Sequence, residues 1–292
     1  MNRLNQSTVS RREALALLGA LAISSQAPCR GAESETKSKS GIALQLYTVR
    51  DAARADLPGT LKKVREMGWE YVQWSGMPDL PAEKIREALD AAGLKAIAAH
   101  CDVESFEKDF DAAVKFWKTV GASSVGPGGM MDDCRKTLED WLRGAKRLDA
   151  IGAKLRSVGM RLSYHNHNME FTKFPDDPRC KLDILLEATS PENLCAELDV
   201  AWVKVGGADP AAYIRKCKNR CPVIHAKDLA GEKKTGKSMF TPLGQGVLNW
   251  PDIFAAGRES GIEWYVYEQD SCDGDVFACA SASYEFLKKN VQ

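Results

Sequence analysis

The chain contains 292 residues, of which 40 are basic and 40 are acidic, so its formal net charge is zero. An apolar content of 44% and a charged content of 27% are typical of a globular protein and argue against a disordered, collagenous or coiled-coil chain. The length permits one large domain or two small ones, and the neutral charge balance argues against a general nucleic-acid-binding protein.

The first forty residues have the pattern of an export signal. Ser10 to Leu15 reads Ser-Arg-Arg-Glu-Ala-Leu, and an apolar run follows to Ile23 that is too short to span a bilayer. The paired arginines resemble a twin-arginine signal. We therefore predict a signal peptide at residues 1–32, a polar linker at 33–40 and a periplasmic location. An amphipathic N-terminal helix is the alternative.

Removal of this leader would leave 36 basic and 39 acidic residues, a net charge of −3. We therefore expect neither a nucleic-acid partner nor membrane contact of the mature chain. Eight cysteines would remain, and an even number in an oxidising compartment permits disulfides. The sequence gives no pairing, because a chain of this length does not need such cross-links to fold.

From Gly41 onward, short apolar runs alternate with longer segments of helical periodicity. Eight strand–helix units in about 250 residues are the number and size of a (β/α)8 barrel. An open, doubly wound sheet is the alternative, but no glycine-rich phosphate turn follows the first strand. We therefore predict an α/β fold, a single-domain TIM barrel at residues 41–292. The predicted strands are 42–47, 70–74, 94–99, 122–125, 161–166, 194–200, 222–226 and 263–268, and the predicted helices are 57–67, 82–92, 104–120, 132–158, 182–188, 210–217, 250–260 and 277–289.

All the histidines of the chain lie at the ends of predicted strands, where the active site of a parallel barrel is built. They are His100, His165, His167 and His225. Two carboxylates, Asp199 and Glu268, end neighbouring strands. Imidazole nitrogens and carboxylate oxygens together suit a divalent Mn, Mg, Co or Zn ion. A polar network that fills the barrel mouth without metal is the alternative.

A lysine shares a strand face with one of these histidines, because Lys227 follows His225 by two positions. Its ammonium group could stabilise an oxyanion or protonate a leaving group. A salt bridge to Asp228 or to another carboxylate at the mouth is the alternative.

Further candidates could contact a substrate directly. The aromatic side chains of Tyr47, Trp74 and Trp202 lie at strand ends and could pack against a sugar ring. His100 could bind substrate hydroxyl groups. Ordinary packing is the alternative for each of these residues.

Five segments together resemble the xylose isomerase-like barrel superfamily, and specifically its sugar phosphate isomerase/epimerase group. The resemblance covers nearly all of residues 41–290 and implies the same barrel fold, with sugars or polyols as substrates. The segments are Leu-Gln-Leu-Tyr-Thr-Val-Arg-Asp at 44–51, Tyr-His-Asn-His-Asn-Met-Glu-Phe at 164–171, Glu-Leu-Asp-Val-Ala-Trp at 197–202, His-Ala-Lys-Asp at 225–228 and Tyr-Glu-Gln-Asp at 267–270.

The resemblance implies one divalent metal ion, bound by Glu, Asp, His and Glu from strands five to eight. Asp199, His225 and Glu268 match the last three ligands. The fifth strand departs from the pattern, since it ends in His165 and a carboxylate follows only at Glu170. Either residue could complete the ligand set. We favour Glu170, which would leave His165 facing the substrate.

The shared chemistry of the superfamily is movement of a proton on a carbon next to a carbonyl group. His165, His167 or Glu268 could serve as the base. The sequence therefore predicts a metal-dependent isomerase or epimerase of a non-phosphorylated sugar, with Mn preferred over Mg, Co or Zn.

Three other functions stay open at this point. One is an exported dehydratase or lyase of a keto-sugar or 3-keto-glycoside, and another is a non-catalytic sugar-binding protein. The third, a relative of the DNA-cleaving AP endonucleases, is disfavoured by the small number of histidines and by the net charge of −3 of the mature chain. Assembly into a homo-oligomer is compatible with each of them.

Overall fold

A closed barrel of eight parallel strands forms the centre of the computed structural model, which describes residues 40–231 and 238–291. Each strand pairs with its neighbours in chain order, and the last strand closes the barrel on the first, with Gly41 opposite Trp264. The predicted single-domain TIM barrel is confirmed, and the open sheet is wrong. The barrel strands are β1 (Gly41–Gln45), β2 (Tyr71–Trp74), β3 (Lys95–His100), β4 (Ser124–Gly126), β5 (Arg161–His165), β6 (Cys195–Asp199), β7 (Val223–Ala226) and β8 (Trp264–Tyr267).

Helices connect the strands, and the bounds of most agree with the predicted ones to within a few residues. Short 3-10 helices at Leu46–Val49, Asp132–Cys134 and Asn168–Phe171 supplement them. The α-helices of the described residues are α1 (Arg50–Ala55), α2 (Leu57–Glu66), α3 (Ala82–Ala92), α4 (Glu104–Lys108), α5 (Phe110–Val120), α6 (Leu138–Ser157), α7 (Lys181–Glu187), α8 (Val200–Val205), α9 (Pro210–Lys216), α10 (Trp250–Ser260) and α11 (Val276–Val291).

Side-chain caps decide where several helices begin. At the start of α6, the hydroxyl of Thr137 accepts the N–H of Asp140 at 3.1 Å, and the Asp140 carboxylate accepts the N–H of Thr137 at 3.2 Å. The predicted continuous helix at 104–120 is wrong, because Asp109 has an extended backbone and divides it into α4 and α5. The Asp109 side chain accepts the N–H of Ala112 at 3.1 Å, as aspartate does at a helix N-terminus.

The inside of the barrel has an apolar floor beneath a polar layer. Three buried residues form this floor, separate from the main hydrophobic core: Ala43, Val223 and Val266. Side chains on one face of a strand recur every second residue. The next layer upward therefore contains the residues that lie two positions further along the chain, namely Gln45, His225 and Glu268. The polar site begins at that layer.

The connection after β7 contains a small antiparallel ladder that the sequence analysis did not predict. Asp228–Leu229 pairs with Phe240–Thr241. The buried carboxylate of Asp228 accepts the N–H of Gly244 at 3.0 Å and the indole N–H of Trp250 at 2.8 Å. Asp228 therefore anchors the segment that leads into α10.

The predicted signal peptide and nearly all of the predicted linker lie outside the described residues, which begin at Ser40. Within 40–231 and 238–291, no helix combines the length and the apolar composition that a membrane crossing requires.

A chain that begins at residue 37 is expected to fold with the helix content of the full chain. β1 begins at Gly41 and forms its strand pairs with β2 and β8, so the shortened chain contains all eight strands of the closed barrel. Circular dichroism and gel filtration of the shortened chain test this. Insoluble protein, or loss of the helical signal, would contradict the boundary.

Candidate metal centre at the barrel mouth

Four polar side chains from neighbouring strands converge at the mouth of the barrel. His165 ends β5, Asp199 ends β6, His225 lies in β7, and Glu268 follows β8. All four are buried, and ligand atoms from all four lie within 4.8 Å of one another. Pairing of β6 with β7 sets Asp199 opposite His225, so backbone hydrogen bonds fix the positions of these two residues.

The ammonium group of Lys227 lies among three carboxylates. Its Nζ atom is 2.9 Å from Asp199 Oδ2, from Glu268 Oε2 and from Asp270 Oδ2. Burial lowers the pKa of Lys227, but these carboxylates outweigh it and raise the pKa above its usual value. Lys227 is therefore a fixed positive charge, and its ion pairs are with these carboxylates.

Glu197 lies beside three imidazoles of the site, two of them at hydrogen-bond distance. Its Oε1 atom is 2.6 Å from Nε2 of His100, 2.8 Å from Nε2 of His225 and 3.7 Å from Nδ1 of His165. The amide of Gln73 donates to both of its oxygens, at 3.0 and 3.2 Å. Burial raises the pKa of Glu197, but His225 and His100 outweigh it and hold the pKa well below its usual value.

The two histidines of the cluster have opposite electrostatic environments. His225 lies between two carboxylates, with Nδ1 2.9 Å from Glu268 and Nε2 2.8 Å from Glu197. Burial lowers the pKa of His225, but Glu197 and Glu268 outweigh it and raise the pKa to about 10. Burial holds the pKa of His165 well below its usual value, so that this imidazole is neutral.

The donor set of this cluster fits a divalent metal ion. Two imidazoles with two carboxylates form a ligand set used by Mn and Zn. His165 Nδ1 is buried without a hydrogen-bond partner, whereas most buried polar atoms have one, and the ammonium group of Lys227 is the neighbour that Asp199 Oδ2 has in the cluster. Asp199 Oδ1 accepts the N–H of Trp202 at 2.9 Å, which leaves Oδ2 directed to the cluster and to Lys227.

Glu170 is not brought into this cluster. Its Oε1 accepts a hydrogen bond from the hydroxyl of Tyr164 at 2.8 Å, and its Oε2 accepts the N–H of His167 at 2.8 Å. Both oxygens therefore hold the 3-10 turn that follows β5. Of the two residues that the sequence offers as the strand-five ligand, the structure places His165 and not the favoured Glu170 in the cluster.

His167 and Trp202 lie beside the cluster. The His167 ring is 4.9 Å from the ring of His165 and 5.5 Å from that of Trp202, which packs on Phe240 at 5.4 Å. Burial lowers the pKa of His167, and the charge of Lys227 lowers it further. A neutral imidazole therefore stands next to the buried and unpartnered Nε1 of Trp202.

The remaining sequence candidates have different positions. Trp74 is buried in the main hydrophobic core, where packing accounts for it. Tyr47 is half-buried, and the guanidinium group of Arg50 lies 4.0 Å from its ring centre. His100 belongs to the hydrogen-bond network of Glu197.

Sequence reasoning missed three polar residues of the site, namely Glu197, Gln73 and Asp270. Glu197 precedes Asp199 by two positions in β6, so strand alternation places this pair on one face. Asp270 follows Glu268 by two positions, directly after the end of β8. That signal was present in the sequence. Gln73 had no comparable signal, because it stands as a single amide in an otherwise apolar strand.

The family model described as xylose isomerase-like TIM barrel matches residues 61–289. An inosose dehydratase from Lacticaseibacillus casei is 27% identical over 170 residues, which is 52% of this chain and 55% of that protein. The chain thus spans about half the length of the curated relatives it matches.

Solved structures share the fold. A sugar phosphate isomerase/epimerase from Parabacteroides distasonis has a TM-score of 0.73 at 23% identity, covering 86% of this chain and 98% of the other. The IolI protein, solved with a bound zinc atom, has a TM-score of 0.64 at 14% identity, covering 86% and 98%.

We expect the purified protein to retain one divalent ion per chain and the Asp199→Ala variant to retain none, because that variant loses a carboxylate ligand. Elemental analysis after loading with Mn²⁺ and desalting measures this. Glu170→Gln is the matched control and should retain the ion, because the glutamine oxygen can still accept the N–H of His167 while its amide group donates to the hydroxyl oxygen of Tyr164. Retention of one divalent ion per chain by Asp199→Ala, or loss of the ion from Glu170→Gln, would contradict the assignment of the metal ligands.

Glu197→Gln is expected to weaken Mn²⁺ binding by roughly 10- to 100-fold, because a carboxylate behind a ligating histidine fixes its orientation and raises its basicity. Calorimetric titration of the apo-protein measures the Kd. Glu259→Gln makes the same chemical change in an exposed ion pair with Arg215 and should leave the Kd unchanged. Equal affinity of wild type and Glu197→Gln would show that Glu197 does not support the ligands.

Proposed function

Because the chain belongs to the xylose isomerase-like TIM barrel family, we propose that it is a metal-dependent enzyme that removes a proton from a carbon next to a carbonyl group of a sugar or sugar derivative. One observation carries this proposal: four buried ligand groups converge beside the Lys227 ammonium and the neutral imidazole of His167. A divalent ion in the cluster would supply polarisation of the substrate carbonyl. Mn is our preferred ion, and the zinc in the IolI structure supports a divalent metal more generally.

His167 is the best candidate for the base. It lies beside the cluster and is half-buried, and its lowered pKa leaves the imidazole free to accept a proton near neutral pH. His165 and Glu268 are disfavoured as the base, because the metal would use their lone pairs. The backbone N–H of His167 is fixed by Glu170, so the turn that carries the base has a defined position.

Lys227 would stabilise the negative charge that develops on the substrate oxygen. Its ammonium group is held in place before any substrate binds, by ion pairs of 2.9 Å to Asp199, Glu268 and Asp270. A fixed charge of this kind needs no reorganisation during the reaction, which is what makes electrostatic stabilisation effective.

Two outcomes can follow removal of the proton. Its return to the same or the neighbouring carbon gives epimerisation or isomerisation, and loss of a group from the next carbon gives a dehydratase or lyase reaction. Epimerisation requires an acid–base group on each face of the carbon. The place of a second glutamate is taken here by His165, and Glu170 is engaged with Tyr164. This placement favours elimination, in agreement with the relatives named inosose dehydratase.

The proposed substrate is a non-phosphorylated keto-sugar, keto-inositol or keto-glycoside. The indole of Trp202 beside the cluster offers an aromatic face for a sugar ring. We also propose export by a twin-arginine signal, on the strength of Arg11 and Arg12 before the apolar run. A sugar met outside the cytoplasm would rarely carry a phosphate.

Reaction in heavy water tests the proton-removal step. Keto-inositols, 3-keto-glycosides and simple ketoses are incubated with the Mn²⁺-loaded protein and followed by NMR. We expect solvent deuterium at the carbon next to the carbonyl or, for an irreversible elimination, slower reaction of substrate deuterated at that carbon. A substrate that turns over without either effect would exclude proton abstraction and require hydride transfer or hydrolysis instead.

His167→Ala is expected to lower kcat by about 10²- to 10⁴-fold with unchanged metal content, because a general base contributes that much. Asn168→Ala is the matched control, since Asn168 is an exposed residue of the same turn. Steady-state kinetics on any substrate identified above, with metal analysis of both variants, measures the effect. A His167→Ala variant with the wild-type kcat would reassign the base.

A further inference from the structure

Two cysteine sulfurs touch in the loop that follows β8. Cys272 Sγ lies 2.6 Å from Cys279 Sγ, which is closer than two unbonded sulfur atoms pack. Both residues are half-buried, and both are thiols in this structure. Cys272 belongs to the loop and Cys279 to the first turn of α11, so the contact joins two different elements.

The backbone on both sides of this contact is already fixed by hydrogen bonds. The carboxylate of Asp273, next to Cys272, accepts the N–H of Ser238 at 3.0 Å. The N–H of Cys279 donates to the carbonyl of Asp275 at 3.1 Å. Neither cysteine needs a change of fold to bring its sulfur to the other, which is the usual obstacle to a cross-link.

We propose that Cys272 and Cys279 form an intramolecular disulfide that ties the loop after β8 to the start of α11. Each thiol loses its proton and one S–S bond forms. The two electrons pass to an external disulfide, which is reduced to two thiols. The bond stabilises the fold by restricting the unfolded chain. This inference is independent of the proposed reaction.

The cross-linked loop also carries a residue of the site. Asp270 Oδ2 contacts the Lys227 ammonium, and the carbonyl oxygen of Asp270 accepts a hydrogen bond from Arg50 at 2.9 Å. Two residues further along the chain, Cys272 is the point at which the disulfide fixes this loop. The bond therefore restricts movement of the segment that positions Asp270.

Peptide mapping tests the bond directly. The full chain is exposed to glutathione disulfide, unfolded, alkylated without reductant and digested with trypsin, which leaves both cysteines in the peptide 259–288. We expect this peptide to carry no alkyl group until reductant is added, and then two. The peptides with Cys101 and Cys195 serve as internal controls that are alkylated at once. Alkylation of the 259–288 peptide before reduction would overturn the proposal.

Thermal unfolding provides a second measurement. Reductant should lower the midpoint of the oxidised wild type by on the order of several degrees and leave the Cys272→Ser/Cys279→Ser double variant unaffected. Cys180→Ser is the matched control, because Cys180 is a half-buried thiol on another face, and it should respond to reductant as the wild type does. An equal response of wild type and double variant would overturn the proposal, and failure of the double variant to fold leaves peptide mapping as the deciding test.

Discussion

Burial of several negative charges in one place is the constraint on which the mouth of this barrel depends. Glu197, Asp199 and Glu268 are almost inaccessible to solvent, and uncompensated carboxylates in such surroundings would cost several kcal/mol each. Positively charged side chains at the barrel mouth neutralise these carboxylates. Lys227 contacts Asp199 and Glu268, and His225 contacts Glu197 and Glu268.

The same ion pairs also fix the orientation of the side chains that would take part in the reaction. The groups that neutralise the carboxylates are a buried lysine and an imidazole with a strongly raised pKa, so each partner holds the other in one orientation. A divalent cation bound to His225 would displace a proton from that imidazole and take over its part in neutralising the carboxylates. The unpartnered Nδ1 of His165 lies in the cluster where such an ion would bind. The same carboxylates that form the buried ion pairs are therefore the ones that would bind the metal ion.

The sequence predicted the barrel and much of the cluster because both depend on periodic features. Strand ends of a parallel barrel meet at one face, so histidines and carboxylates at those positions had to lie near one another. This reasoning brought together Asp199, His225 and Glu268, with His165 as the less favoured of two candidates for the fourth position. It missed Glu197, because one carboxylate inside an apolar strand was treated as part of the strand rather than as a member of its inward face.

Other features depended on local turns that periodicity does not describe. The choice between His165 and Glu170 is decided by the 3-10 turn after β5, which directs Glu170 to Tyr164. The break at Asp109 and the path of the chain after Asp228 also involve hydrogen bonds of a carboxylate to backbone N–H groups, those of Ala112 and Gly244. Such contacts are specific to the folded chain and leave little trace in composition or hydropathy.

Anomalous diffraction from crystals grown with Mn²⁺ tests the central claim most directly, because it locates the ion without reference to activity. The account predicts one strong anomalous peak per chain, coordinated by His165, Asp199, His225 and Glu268, with Glu170 still bound to Tyr164. A peak coordinated by Glu170, or no peak at the barrel mouth in crystals that contain Mn²⁺, would contradict it.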